Sequence, residues 1–217
     1  MTVLMKILGV ADSTACFLRH EIITGKIPPG SKLNEVELAN RYGVSRPPLR
    51  EAFRKLEYEK LVNNIPRRGT FVTELSFDDC REVYFTRRTL ECAAVDLLAK
   101  SGNRDFTKLS ESVENLEHFA MPRNSDTTDL ADYYGEIAGF HWDLVKDAGN
   151  RWLTHCYQSI ASTLSRYQLI YLSILSKRSI EDHKIVVECM QEGRFEEAKK
   201  QLAEHISRVL NEMLDNI

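Results

Sequence analysis

The sequence predicts a mostly α-helical protein of two domains. Residues 1–75 read as a winged helix-turn-helix, three helices plus a β-hairpin, and residues 76–217 as an antiparallel six-helix bundle. Three observations point there. Residues 33–72 hold two short helical patterns that meet at Gly43, with a basic hairpin pattern behind them. Beyond residue 76 there is no strand alternation, and Pro122 is the one proline after residue 66. The charge is also divided: residues 1–74 carry 12 Lys and Arg against 8 Asp and Glu, and the remainder 17 against 24. A basic head on an acidic body implies that the head alone meets nucleic acid.

In chain order, a helical pattern over about residues 12–25 buries Phe17, Leu18, Ile22 and Ile23. Ile27-Pro28-Pro29-Gly30 is a turn that delivers Leu33 to the core. Asn34 is a good N-cap and stands three residues before Glu37, as in a capping box. Leu38 and Ala39 give that helix an apolar side, Gly43 ends it in the left-handed conformation, and Val44 plugs the gap to the next helix. Ser45 caps that next helix, whose first turn tolerates Pro47 and Pro48 because N–H groups there have no helical partner.

At about 100° per residue, Leu49, Ala52, Phe53 and Leu56 share one face of this helix, and Arg46, Arg50 and Arg54 form a stripe rotated from it. The apolar face packs inward, which leaves the arginines able to enter a major groove, where a guanidinium can donate to O6 and N7 of guanine. A solvated face has the same spacing. Three features favour DNA: the stripe starts at the N-terminal turn, acids are sparse over residues 41–68, and a basic hairpin follows. That hairpin pairs residues 61–65 with 70–73 around Pro66-Arg67-Arg68-Gly69. Gly69 can take a positive φ at the turn, and Arg67 and Arg68 can reach the sugar-phosphate backbone or the minor groove.

These residues resemble the N-terminal domain of the GntR family of bacterial transcription regulators. The resemblance rests on Ile22, Gly25, Pro29-Gly30, Leu33, Glu35, Leu38-Ala39, Gly43-Val44-Ser45-Arg46, Pro48 to Ala52, Leu56, Leu61-Val62 and Arg68 to Val72. It implies that Arg46 and Arg50 read bases and that Ser45 and the turn at Gly69 contact DNA. Val36 departs from the pattern, since some fatty-acid-responsive members carry another DNA-contacting arginine there.

Hydrophobic content of 43% and charged content of 28% are ordinary for a soluble globular chain. The five cysteines, Cys16, Cys80, Cys92, Cys156 and Cys189, include no CxxC pair and read as reduced thiols, mostly core filler, in a cytoplasmic protein. Lys6 interrupts the apolar start, which argues against a signal peptide, and no run approaches the ~20 apolar residues of a membrane span.

In the second domain Ser76 with Asp79 reads as a cap for a long helix over about 78–100, with Val83, Leu90, Ala94, Leu97 and Leu98 at three- and four-residue spacing. Further helical stretches fall at 105–119, 127–147, 150–175, 179–192 and 194–215. His141, His183 and His205 each lie within one of these, flanked by apolar residues. Three inward imidazoles can hold Zn, Ni or Mn, although core or surface histidines without a ligand role are commoner. Arg87 is a candidate to pair with an effector carboxylate through its planar fork; the alternative is a surface arginine paired with Glu91 at i+4.

This domain is similar to the all-helical effector domain (FCD) of the FadR-type branch of the same family. The likeness runs through Arg87, Leu90-Glu91, Ala93-Ala94, Phe140-His141, Ala148-Gly149-Asn150, His183, Glu192-Gly193, Ala198 and Glu204-His205-Ile206. Many such domains bind one metal through an aspartate and three histidines, with a small carboxylate on that metal. His141, His183 and His205 match the histidine positions, and Ile137 stands where the aspartate is expected. Glu136, its neighbour, lies about 100° away around the helix. The site implied is three histidines plus water or effector, or else a metal-free pocket lined by the same residues.

The leading reading is a ligand-responsive transcription regulator acting as a repressor. Its homodimer places two heads on a roughly palindromic operator, and a small carboxylate effector enters the bundle. The rival is a metal-dependent enzyme built on a three-histidine centre with an open position. No base or nucleophile stands out near those histidines, and an enzyme leaves the arginine stripe unexplained.

Overall fold

The computed structural model describes residues 9–102, 104–118, 139–170 and 177–215. The chain divides into two compact units, Met1–Leu75 and Ser76–Ile217.

In the first unit, α1 (Val10–Ile23), α2 (Glu35–Tyr42) and α3 (Arg46–Tyr58) pack around one core, beside a small sheet. Strands β1 (Lys32–Leu33), β2 (Val62–Ile65) and β3 (Gly69–Val72) make an antiparallel sheet in the order β1-β3-β2. The register is Val62 opposite Val72 and Ile65 opposite Gly69, with Leu33 opposite Thr70 on the other edge. The two-residue β1 is a correction to the sequence reading, which saw only a turn delivering Leu33. The delivery itself holds, because Leu33 is buried with Leu18, Ile22, Leu38, Leu49, Phe53, Leu56 and Leu61.

Asn34 caps α2 by accepting from the N–H groups of Val36 and Glu37, a contribution of about 1 kcal/mol. Gly43, at φ 65°, ends α2, and the Val44 N–H closes on the Ala39 carbonyl. Val44 then sits half-buried against the core, in the plug position.

Ser45 occupies the N-cap position of α3 yet makes no capping hydrogen bond. The reason is in the sequence. A capping oxygen accepts from the second or third helical N–H, and those residues are Pro47 and Pro48, which have none. The wing turn differs in a second detail. Gly69 takes a positive φ of 106° as expected, but so does Arg67 at 64°. The Arg68 N–H bonds the Ile65 carbonyl at 3.0 Å, so Pro66 and Arg67 are the central pair of a turn whose second residue is left-handed, as in type II.

The second unit is a helical bundle: α4 (Phe77–Ser101), α5 (Thr107–His118), α6 (described over 139–147), α7 (Arg151–Ile170), α8 (Lys177–Gln191) and α9 (Phe195–Leu214). Ser76 caps α4 by accepting from Asp79 N–H at 3.0 Å. Asn150 caps α7 by accepting from Trp152 and Leu153. Helix α9 packs on α4 and α8, α7 packs on α4, and α5 on α8. The buried side of α4 is Cys80, Val83, Tyr84, Arg87, Glu91, Ala94, Val95 and Leu98, while Leu90 and Leu97 are only half-buried. An arginine and a glutamate, Arg87 and Glu91, therefore lie mid-way along the core stripe of the longest described helix. All five cysteines are free; Cys80 and Cys189 are buried, but Cys16 and Cys156 are exposed, which corrects the reading of them as core filler. The expected helical segment 127–138, the stretch 171–175, Glu136 and Ile137 lie outside the described residues.

A candidate DNA-facing cleft and a candidate metal centre

In the first unit, the apolar side of α3 is fully committed to the core: Leu49, Ala52 and Leu56 are at 0% exposure and Phe53 at 5%. That fixes the roll of the helix and leaves Arg46, Arg50 and Arg54 exposed together with Ser45. Arg50, Arg54, Lys32, Arg67, Arg68 and Gly69 are among the residues that line one cleft of about 620 Å³ between α3 and the wing. Arg46 lies outside that lining, at the N-terminal turn of α3. The wing arginine Arg68 stands over the Phe71 ring at 5.8 Å, and Lys32 is at the same distance, within cation–π range. Arg50 is engaged: it donates to both oxygens of Glu35 at 3.0–3.1 Å, while its side chain stays 62% exposed.

In the second unit, helices α6, α8 and α9 bring His141, His183 and His205 together, with candidate ligand nitrogens all within 4.8 Å of one another and each ring buried. His183 Nε2 lies 3.2 Å from His205 Nε2. Nitrogens sharing one ion at ~2.0–2.1 Å are separated by roughly 3.0–3.4 Å, so this spacing suits a shared cation. Two carboxylates hold the outer nitrogens. His141 Nδ1 is 2.7 Å from Glu91 Oε2, and His205 Nδ1 is 3.1 Å from Asp182 Oδ2, which Arg208 also grips. A carboxylate accepting from Nδ1–H fixes the tautomer that leaves Nε2 with its lone pair, the arrangement usual for metal-bound histidine.

Burial, then the positive fields of Arg87 and the neighbouring rings, hold His141 and His183 well below the ordinary histidine range. His205 is lowered too, chiefly by burial and against the upward pull of Asp182. The short His141–Glu91 contact is accordingly a hydrogen bond from a neutral imidazole, the form that ligates. Neutral rings, the close His183–His205 pair and the oriented tautomers of His141 and His205 fit a divalent transition metal, while the buried Nδ1 of His183 has no hydrogen-bond partner.

Arg87 is at 1% exposure, so the alternative of a surface arginine is corrected; its pairing with Glu91 stands, at 2.8 Å from Nε. Burial works against the Arg87 charge, but the Glu91 carboxylate beside it outweighs that and holds the guanidinium ionised. Burial pushes the Glu91 carboxyl up, opposed by Arg87 and by the Tyr157 hydroxyl, which donates to Oε1 at 2.9 Å. The Arg87 Nη1 is buried with no hydrogen-bond partner. Beside it lies a cavity of about 270 Å³ lined by Arg87, His141, Trp142, Tyr157, Leu164 and Gln168 among others. Tyr157 and Asp182 are residues that sequence reasoning missed, as it did the link from Glu91 to His141. Glu91 had a signal: it is in helical phase with Tyr84, Arg87 and Leu98 on the buried side of α4.

A winged helix-turn-helix with a basic cleft, followed by a helical domain enclosing a polar centre, defines a DNA-binding transcription regulator. Residues 10–72 match the bacterial regulatory proteins of the gntR family, and residues 82–208 match the FCD domain. The chain belongs to the GntR family, in the group whose second domain is FCD. It is 28% identical over 209 residues to the HTH-type transcriptional regulator YdhC of Bacillus subtilis, covering 92% of each chain. It is 25% identical over 194 residues to the HTH-type transcriptional repressor RspR of Escherichia coli, covering 88% of this chain and 83% of that one. Its fold is that of a GntR regulator from a Rhodococcus species, with a TM-score of 0.78 at 22% identity over 95% of this chain and 98% of that one. The family and these relatives are regulators, which sets aside the reading as a metal-dependent enzyme. No described helix is long and apolar enough to cross a membrane.

Proposed function

We propose that the protein is a repressor whose grip on a roughly palindromic operator is set by a small carboxylate bound in the second domain. A homodimer presents two heads to the two half-sites. In each head α3 enters the major groove. Arg46 and Arg50 read bases there, Arg54, Arg67 and Arg68 meet phosphates or sugar, and Ser45 and the Gly69 turn approach the backbone. The Ser45 hydroxyl, which has no capping duty, is available as a phosphate donor.

His141, His183 and His205 would hold one divalent ion, Zn, Ni or Mn, which supplies a Lewis-acidic anchor for a carboxylate oxygen. The observation that carries the sensing half of the reading is the unpartnered Nη1 of buried Arg87 beside the cavity that His141 also lines. A buried guanidinium N–H with no acceptor is expensive, and an anion in the cavity removes that cost. Glu91 holds the other side of the same guanidinium and the outer nitrogen of His141, so it aims both at one place.

The test is metal analysis of the purified chain, with a thermal-shift screen of small carboxylates before and after chelation. A carboxylate that stabilises wild type but not Arg87→Met supports the reading, through the mass-action stabilisation of a bound ligand. No stabilisation by any carboxylate, with or without metal, overturns it.

A further inference from the structure

We infer that Glu35 is a specificity-setting residue: it clamps Arg50 on one edge so that only the opposite edge of the guanidinium is offered to a base. This deepens the proposed role of Arg50 as a base reader and rests on it. The geometry is specific. Arg50 Nε donates to both Glu35 oxygens, at 3.0 and 3.1 Å, and Nη2 donates to Oε2 at 3.0 Å. A guanidinium has five donors in a rigid fork. The clamp uses Nε–H and one hydrogen of Nη2. What remains is the end-on edge, one hydrogen from Nη1 beside the outer hydrogen of Nη2, which is the pair needed to span O6 and N7 of guanine.

The two partners come from different elements, and each is fixed independently. Glu35 is the first residue of α2, held by the Asn34 cap, and Arg50 is one turn into α3, whose roll the buried Leu49 and Phe53 settle. Both line the basic cleft. An exposed ion pair contributes little stability, so the fold gains little from this one. Its effect lies elsewhere. An unclamped arginine can turn either edge toward phosphate or base, and loses rotamer freedom when it settles on one. A clamped one is already oriented, while the Glu35 charge in the cleft weakens the nearby phosphate contacts whatever the base sequence. The clamp therefore trades overall affinity for discrimination.

The experiment uses the full chain and duplexes selected by the wild-type protein from a random pool. Affinity is measured for the best duplex, for one with each guanine replaced in turn, and for unrelated DNA. Glu35→Gln removes the charge and keeps an acceptor for Arg50; Glu35→Ala removes both. Both variants should bind unrelated DNA more tightly. Only Glu35→Ala should lose discrimination, by about tenfold, at the guanine where Arg50→Ala also loses it, with Glu35→Gln retaining most of it. Unchanged discrimination in Glu35→Ala, alongside a loss in Arg50→Ala, overturns the clamp but leaves Arg50 as a base reader. No loss in Arg50→Ala overturns the base-reading role itself. Equal loss in Glu35→Gln and Glu35→Ala shows charge rather than geometry at work and also overturns the clamp. Thermal melts of each variant confirm that the head is folded.

Discussion

The Glu91 carboxylate on α4 lies 2.7 Å from Nδ1 of His141 on α6, and both groups are buried. Through that contact the core stripe of the longest described helix is joined to the three-histidine cluster, with Arg87 and Tyr157 on the other carboxylate oxygen.

Breaking the network at Glu91 should be severe. Glu91→Ala leaves the Arg87 guanidinium buried without a counter-charge, a change that costs about 3–5 kcal/mol. Chemical denaturation should show that loss. Glu91→Gln keeps the shape and destabilises less, but weakens the orientation of His141, so metal affinity should fall by roughly 10- to 100-fold in a competition titration with a chromophoric chelator.

Acid should loosen the second unit before it affects the first. His141, His183 and His205 have pKa values below the ordinary histidine range of ~6.5 in the fold, through burial first. The unfolded chain therefore binds more protons than the native one just below that range, and stability falls as pH drops through about 6.5. Glu91, whose carboxyl burial pushes up, acts with the opposite sign, but it is one group against three. Melting temperatures measured downward from pH 7.5 should fall first across this window. A flat profile between pH 7 and 5.5 contradicts neutral buried rings.

Ser45→Ala separates capping from binding. A capping serine lost to alanine costs about 1 kcal/mol, but with Pro47 and Pro48 in the way the change here should stay within ~0.5 kcal/mol by urea denaturation. If the Ser45 hydroxyl meets a phosphate as proposed, DNA affinity should nonetheless drop.

The wing arginines should behave differently from the α3 arginines. If Arg67 and Arg68 meet phosphates as proposed, Arg67→Ala and Arg68→Ala should each weaken binding alike for all sequences and shrink the slope of log affinity against log salt by ~1. Base preference should be untouched. A changed base preference would place a wing arginine in a groove instead.

Much of this was legible in the residues, where the periodicity had one solution. Leu49, Ala52, Phe53 and Leu56 can face the core in only one roll of α3, and that roll places Arg46, Arg50 and Arg54 outside. The three histidines were found as candidates because each interrupts an apolar helical run. What was not legible depended on long-range packing. A two-residue strand such as β1 has no period to read, and the left-handed Arg67 is set by the turn that closes the hairpin. Glu91 looked like a surface partner of Arg87 because an i+4 ion pair is usually solvated; only the packing of α6 and α7 on α4 shows the pair to be interior. Ser45 holds the N-cap position without the capping bond for a local reason that the sequence did contain: Pro47 and Pro48 have no N–H to donate to its hydroxyl.

The most direct test is fluorescence anisotropy of the full chain on duplexes it selects from a random pool, comparing wild type with Arg46→Ala and Arg50→Ala. Each substitution should weaken binding to the selected duplex by roughly 5- to 150-fold and relax preference at one base position per half-site, with little change on unrelated DNA. Unchanged affinity together with unchanged base preference in both variants would contradict the assignment of the exposed side of α3 to DNA.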